Sequence, residues 1–130
     1  MSIHAVGVDL CDISRMRALL AREKTGARLA RRVFTPAERA QAQTRPDPVA
    51  SLAARFAAKE ATLKALARDK PWGMPWLAIE IVAEVGSKVP RVKLLGKAAQ
   101  WAEEVGIAHV HLSMSHERDY AIAMAVAETE

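Results

Sequence analysis

One alanine-rich stretch from about residue 49 to 67 constrains this chain more than any other segment. Its apolar residues recur at helical spacing and predict one long helix with a single core face, formed by Val49, Leu52, Phe56, Leu63 and Leu66. Lys59 projects near the middle of that face and Glu60 near its edge. Because neither side chain is fully buried without a partner, we expect Lys59 to extend its stem along the face and Glu60 to reach solvent or a cation.

The other segments predict an α+β domain with a mostly antiparallel sheet around this helix. Thr35-Pro36-Ala37-Glu38 has the pattern of a capping box that begins a helix. Two prolines and a glycine predict a loop over 70–76. The remaining expected elements are a strand over 3–8, a helix from Asp12 toward Leu29, a hairpin over 77–85 and 89–95, a helix over 96–105, and strands over 108–114 and 120–127.

Length and composition favour a single small domain spanning residues 1–130, of which 51% are hydrophobic. The lone Cys11 excludes an internal disulfide, and the first residues lack the charged region of a secretory signal. Uninterrupted apolar runs are too short to cross a membrane. We therefore expect a cytoplasmic protein that has no membrane partner.

The charge is distributed unevenly, because residues 1–70 carry 14 Lys and Arg against 7 Asp and Glu, whereas residues 71–130 carry 5 against 8. The excess is concentrated between Arg15 and Arg39. Such a stripe attracts an acidic protein or a nucleic acid, or it is a solvated helix face. A sequence with 5% aromatic residues and no zinc-finger pattern gives nucleic acid little support.

Two carboxylates occupy positions that suggest a bound cation. Asp9 follows Val6-Gly7-Val8 at the expected end of the first strand, where an aspartate also commonly caps the next turn. Glu60 lies in the long helix among Arg55, Lys59 and Lys64, a cationic fringe that suits phosphates. Mg²⁺ is typically held by one or two carboxylates together with substrate phosphates. His116, in a polar segment between two strands, is a further candidate base or phosphate donor, or an ordinary hairpin residue.

Three stretches together resemble the holo-acyl-carrier-protein synthase family of 4′-phosphopantetheinyl transferases. They are Gly7-Val8-Asp9-Leu10, Arg55-Phe56-Ala57-Ala58-Lys59-Glu60-Ala61 with Lys64, and Ser113-Met114-Ser115-His116. Their order and spacing match, and the resemblance covers nearly the whole chain. It departs from the family after the long helix, where 67–73 lacks the usual Gly-Thr-Gly-like loop.

The resemblance implies transfer of 4′-phosphopantetheine from coenzyme A to a serine of an apo acyl carrier protein, with release of adenosine 3′,5′-bisphosphate. It implies Mg²⁺ on Asp9 and Glu60, coenzyme A contacts from Arg55, Lys64 and His116, and catalytic roles for Glu60, Lys64 and His116. A metal-bound water, Glu60 and His116 all remain candidate bases.

The resemblance also implies two kinds of protein partner. The acidic carrier is expected to dock on the first helix, and the matching cations are Arg15, Arg17, Arg22 and Arg28. A homotrimer with active sites between subunits is expected as well. The rival interpretations are a basic nucleic-acid-binding module and a catalytically silent interaction module with the same fold.

Overall fold

The computed structural model describes residues 1–67 and 75–130, which form five strands, five α-helices and a short 3-10 helix. In chain order they are β1 (Ser2–Asp12), α1 (Ile13–Leu20), α2 (Thr25–Val33), α3 (Pro36–Gln43), α4 (Pro48–Ala67), a short 3-10 helix (Trp76–Ala78), β2 (Ile79–Ala83), β3 (Pro90–Leu94), α5 (Gly96–Val105), β4 (Ile107–Glu117) and β5 (Tyr120–Thr129). The predicted loop over 70–76 lies mostly outside the described residues.

The strands form two antiparallel sheets. One has the order β1-β5-β4, and the other is the β2-β3 hairpin, in which Pro90 pairs with Ala83. Pro90 lies at the first position of its strand, where its missing N–H is tolerated. The α+β class and the mostly antiparallel sheet are therefore confirmed.

Small side chains let α4 pack closely against the three-stranded sheet. Alanines of α4 and β5 face each other across this contact and are almost completely buried: Ala57, Ala58, Ala61 and Ala65 on the helix, and Ala121, Ala123, Ala125 and Ala127 on the strand. Close packing of this kind holds the charged residues of α4 in fixed positions relative to the strands.

Several predicted boundaries are wrong, and His116, which was expected between two strands, lies inside β4 because that strand continues to Glu117. The helix expected from Asp12 to Leu29 is two helices, and a Cβ on Gly26 would overlap the carbonyl oxygen of Leu20, so the chain turns back closely there. Asp12 does cap α1, because its carboxylate accepts from the backbone N–H of Arg15 at 3.1 Å. The first strand also continues four residues beyond Val8. Asp9 therefore lies inside β1, opposite Ala123, and not at its end.

The face of the three-stranded sheet that turns away from α4 is apolar and open. Side chains alternate along β1 and β5, and Val6, Val8, Leu10, Ile122 and Met124 on this outer face are 44–60% exposed. In the described residues, no helix is long and apolar enough to cross a membrane.

Candidate active site

Asp9, Glu60 and Lys64 lie together where α4 crosses β1. The ammonium of Lys64 donates to Asp9 Oδ1 at 3.1 Å and to the carbonyl oxygen of Val8 at 3.0 Å. Asp9 turns toward α4 because the side chains of β1 alternate between the two faces of the sheet. The structure therefore brings together three of the side chains that the sequence predicts for the site.

Gly7 makes this approach possible. A Cβ at Gly7 would overlap the carbonyl oxygen of Ala61 on α4, so any other residue would push the helix away from β1. Sequence reasoning included Gly7 in a motif without finding this role. A glycine inside a strand was the available signal, since it commonly marks a close backbone approach.

Glu60 is electrostatically strained. Partial burial raises the pKa of the Glu60 carboxyl, the nearby negative charge of Asp9 raises it further, and Lys64 partly offsets both effects. Two carboxylates that repel each other and have a single neighbouring ammonium form an oxygen donor set that suits a hard cation such as Mg²⁺. Among the described residues no cluster of three or more His, Cys, Asp and Glu forms a metal site, so water and substrate oxygens would supply the other ligands of a cation here.

Lys59 does not belong to this group, and the expected cationic fringe of Arg55, Lys59 and Lys64 is wrong. Lys59 is completely buried, and its ammonium lies 2.7 Å from Glu38 Oε1 while donating to the carbonyl oxygens of Trp76 and Ile79. Its stem does not extend toward solvent as expected. Burial lowers the pKa of Lys59, and Glu38 counteracts that effect.

Glu38 is the partner that sequence reasoning missed. It completes the predicted capping box, because Oε1 accepts from the backbone N–H of Thr35 at 2.8 Å. Oε2 also accepts from the backbone N–H of Ile81 at 2.9 Å. The capping pattern was visible in the sequence, but nothing in it indicates that the same carboxylate meets Lys59 across the fold.

Arg55 and His116 line a separate cavity of about 340 Å³. The guanidinium of Arg55 is almost fully buried and donates to Ser51 Oγ at 2.5 Å, to Ile81 O at 3.1 Å and to Gln41 Oε1 at 3.2 Å. Burial lowers the pKa of Arg55, and the positive charge of Arg45 lowers it further. Arg55 is thus held rigidly in the cavity wall.

Two further cations, Arg45 and Lys88, line the same cavity and were not predicted. Arg45 precedes a Pro-Asp-Pro turn, and Lys88 lies in the turn between β2 and β3. They are far apart in the sequence, so only the fold reveals that they share a wall. Four basic side chains around one cavity favour an anionic ligand.

The two groups face different ways. Arg55 and Lys64 are nine residues apart on α4, about half a turn out of phase and roughly 13 Å along the axis. Asp9 lies on one edge strand of the sheet and His116 on the other. Within one chain, Asp9, Glu60 and Lys64 therefore do not share a pocket with Arg55 and His116.

Three of the four predicted docking cations line two adjoining cavities, and the fourth forms an ion pair outside them. Arg15 lines an apolar cavity of about 430 Å³ with Leu19 and Leu29, and Arg22 and Arg28 line an adjoining cavity of about 320 Å³ that contains the same two leucines. Arg17 points elsewhere and pairs with Asp47 at 2.8 Å. A cavity of about 680 Å³ between β3 and β4 contains none of the predicted site residues.

Comparison with known proteins identifies the class. A model of the 4′-phosphopantetheinyl transferase superfamily matches residues 5–125. A holo-[acyl-carrier-protein] synthase of Pectobacterium carotovorum is 40% identical over 129 residues, which are 99% of this chain and 100% of that protein. The chain therefore belongs to the holo-acyl-carrier-protein synthase family, as the sequence resemblance predicted.

Solved structures of this family have the same fold. The crystal structure of holo-[acyl-carrier-protein] synthase from Neisseria meningitidis has a TM-score of 0.83 at 36% identity, with 98% of this chain and 100% of that chain covered. The complex of the Chronobacterium ammoniagenes synthase with coenzyme A has a TM-score of 0.80 at 32% identity, with 100% of this chain and 99% of that chain covered. The fold prediction is confirmed, and the roles of individual residues stay predictions.

Proposed function

We propose that this protein transfers 4′-phosphopantetheine from coenzyme A to a serine hydroxyl of an apo acyl carrier protein, with Mg²⁺ held by Asp9 and Glu60. The observation that carries the proposal is the arrangement of Asp9, Glu60 and Lys64 in a chain of this family. We treat residues 1–130 as one functional unit that acts in the cytoplasm.

In the proposed reaction the serine oxygen forms a bond to the β-phosphorus of coenzyme A. The bond from that phosphorus to the bridging oxygen breaks, and adenosine 3′,5′-bisphosphate leaves. When bound, Mg²⁺ would offset the negative charge that accumulates on the pyrophosphate. Lys64 is positioned to donate to a phosphate oxygen from the exposed end of its side chain, and the serine proton passes to a nearby base.

The cationic cavity is the proposed site for the nucleotide end of coenzyme A. Arg55 and His116 were expected to contact coenzyme A, and Arg45 and Lys88 add charge to the same wall. Because this cavity and the carboxylate pair lie on different sides of one chain, a neighbouring copy is needed to bring the two together.

We infer a closed homotrimer for this reason. The metal-binding side at β1 and the cavity beside β4 are at opposite edges of the sheet, so head-to-tail contacts can join unlike edges around a ring. The open outer face, with Val8 and Met124, supplies the apolar surface that such contacts bury. His116 of one copy can then act at the carboxylate pair of the next.

Light scattering at assay concentration tests the assembly. We expect three times the chain mass for the unaltered protein and a loss of assembly in Val8→Glu. Full activity from a monomer would exclude the arrangement. A mixture of inactive Glu60→Ala and inactive Arg55→Ala chains should regain activity, since some mixed interfaces contain both native residues.

The carrier is proposed to dock on α1 and α2. Arg15, Arg22 and Arg28 border two adjoining cavities that contain Leu19 and Leu29, an arrangement that suits an acidic helix with apolar side chains. Replacing Arg15 and Arg22 by Glu should raise KM for the carrier far more than KM for coenzyme A. Equal effects on both substrates would contradict docking on this surface.

Incubation with coenzyme A, Mg²⁺ and apo acyl carrier protein, followed by mass spectrometry of the carrier, tests the function. A mass gain of one phosphopantetheine is expected, and none when Mg²⁺ is chelated. Salt-sensitive binding to nucleic acid without any transfer would favour the nucleic-acid module. Carrier binding without turnover would favour the silent module.

A further inference from the structure

Arg17 differs from the other predicted docking cations because it already forms an ion pair within the protein. Its guanidinium donates to both oxygens of Asp47, at 2.8 Å from Nη2 and 3.4 Å from Nη1. Of the ion pairs among the described residues, this is the one formed by a member of the predicted docking set. A cation held in a two-point contact has little freedom to dock an incoming carrier.

Asp47 belongs to the cationic cavity. It lines the wall together with Arg45, Arg55, Lys88 and His116, and among the described lining residues it is the carboxylate in that wall. An uncompensated negative charge in such a place would repel an anionic ligand. The proximity of Arg17 provides the compensation.

Asp47 also fixes the backbone beside the cavity. Its Oδ1 accepts from the backbone N–H groups of Val49 and Ala50, each at 3.2 Å, which caps the first turn of α4. Its own carbonyl oxygen accepts from the N–H of Ser51, whose hydroxyl in turn holds Arg55. The pair with Arg17 therefore connects α1 to the turn that carries the cavity wall.

We propose that Arg17 is a positioning residue for the nucleotide end of coenzyme A and not a carrier-docking residue: by pairing with Asp47 it neutralises the carboxylate in the wall of the anion-binding cavity. The inference rests on the proposed function, because it takes the cavity to bind the phosphates of coenzyme A. Arg17 acts through Asp47 and does not itself contact the ligand.

Calorimetric titration with adenosine 3′,5′-bisphosphate at low salt tests the inference on the full chain. Arg17→Gln should raise the Kd about two- to sixfold, because the negative charge of Asp47 is then uncompensated and repels the anion, and added salt should shrink the difference. Asp47→Asn keeps a capping oxygen but removes the charge, so it should leave the Kd unchanged or lower it. The double variant should match the unaltered protein, because it removes both charges of the pair.

Arg31→Gln is the matched control, since Arg31 is an exposed cation of α2 and its loss changes the net charge equally. It should leave the Kd for the nucleotide near that of the unaltered protein. Equal weakening by Arg17→Gln and Asp47→Asn would show that the pair only braces the backbone, and it would overturn charge compensation.

A second measurement separates the inference from its premise. An unchanged Kd in Arg17→Gln together with a raised KM for the carrier would overturn the inference and return Arg17 to the docking surface. Failure of the unaltered protein to bind the nucleotide would overturn the proposed use of the cavity and the inference with it. A changed Kd with an unchanged KM for the carrier supports the inference alone.

Discussion

Lys59 and Glu60 are neighbours in the sequence, yet they occupy opposite kinds of environment. Lys59 is completely buried against Glu38, and the hydrogen-bonding groups around this pair are matched. Glu60 lies beside a second carboxylate, Asp9, with Lys64 as partial compensation. The charge of Lys59 therefore stabilises the fold, whereas the charge of Glu60 is only partly compensated within the protein.

The difference indicates which charges serve binding. A buried pair that is fully hydrogen-bonded has no remaining capacity for a ligand, and it stabilises only while both partners are present. Two carboxylates that repel each other cost stability until a cation joins them. A carboxyl group whose pKa is raised by burial and by a neighbouring carboxylate is typical of functional sites.

The largest effect is expected from Lys59→Met, which should lower the free energy of unfolding by about 3–5 kcal/mol because it leaves Glu38 buried without its counter-ion. Urea denaturation followed by circular dichroism measures this loss. The added change Glu38→Gln keeps one acceptor oxygen for Thr35 and removes the isolated charge. The double variant should therefore be less destabilised than the two single changes predict together, and strict additivity would contradict a coupled pair.

Glu60→Gln should affect activity and stability in opposite directions. Transfer should fall by at least about 100-fold, because metal-ion stabilisation of the reaction contributes several kcal/mol. The protein without Mg²⁺ should become more thermostable. The sign follows from the raised pKa of Glu60. Ionised Glu60 destabilises the folded state at pH values above the ordinary carboxyl pKa of about 4.3, so the gain should be present at pH 7 and should vanish in acid.

Melting curves between pH 4 and pH 7, with and without Mg²⁺, check this prediction. Mg²⁺ should raise Tm for the unaltered protein and have little effect on Glu60→Gln or Asp9→Asn. Glu104→Gln is a matched control, because Glu104 is an exposed carboxylate on α5. If Glu60→Gln melts lower than the unaltered protein at pH 7 without Mg²⁺, the carboxylates are not in mutual repulsion.

Sequence patterns predicted most of the fold because they are local. The capping box at Thr35, the long helix, the helix over 96–105 and the strand that begins at Pro90 all follow from residues close together in the chain. The single helix expected over 12–29 is wrong, because the chain turns between α1 and α2. The turn there depends on the contact of Gly26 with Leu20, which no period reveals.

The sequence predicted those site residues that belong to a recognisable motif. Asp9 and Glu60 were candidates from their positions, the family resemblance implied roles for them and for Lys64, and the structure places the three together. The partners of Lys59 and Arg55 come from α3 and β2, and contacts between distant segments leave no spacing signal. Periodicity placed Lys59 on the core face correctly, but it could not supply Glu38.

The smallest effect is expected from Lys64→Gln, which tests whether Lys64 competes with the cation for Asp9. Its exposed ion pair contributes little, so the free energy of unfolding should change by less than about 0.5 kcal/mol. Removing an ammonium that donates to Asp9 should lower the Mg²⁺ concentration needed for half-maximal transfer. Turnover at saturating Mg²⁺ should nevertheless fall about tenfold, because a charged hydrogen bond to a phosphate is lost.

Lys97→Gln provides the matched control for that prediction, since Lys97 is an exposed cation on α5 whose loss changes the net charge equally. It should alter neither the Mg²⁺ requirement nor turnover. A raised Mg²⁺ requirement in Lys64→Gln would mean that Lys64 assists metal binding and does not compete with the cation for Asp9. An unchanged turnover would remove Lys64 from phosphate binding and leave Asp9 as its partner.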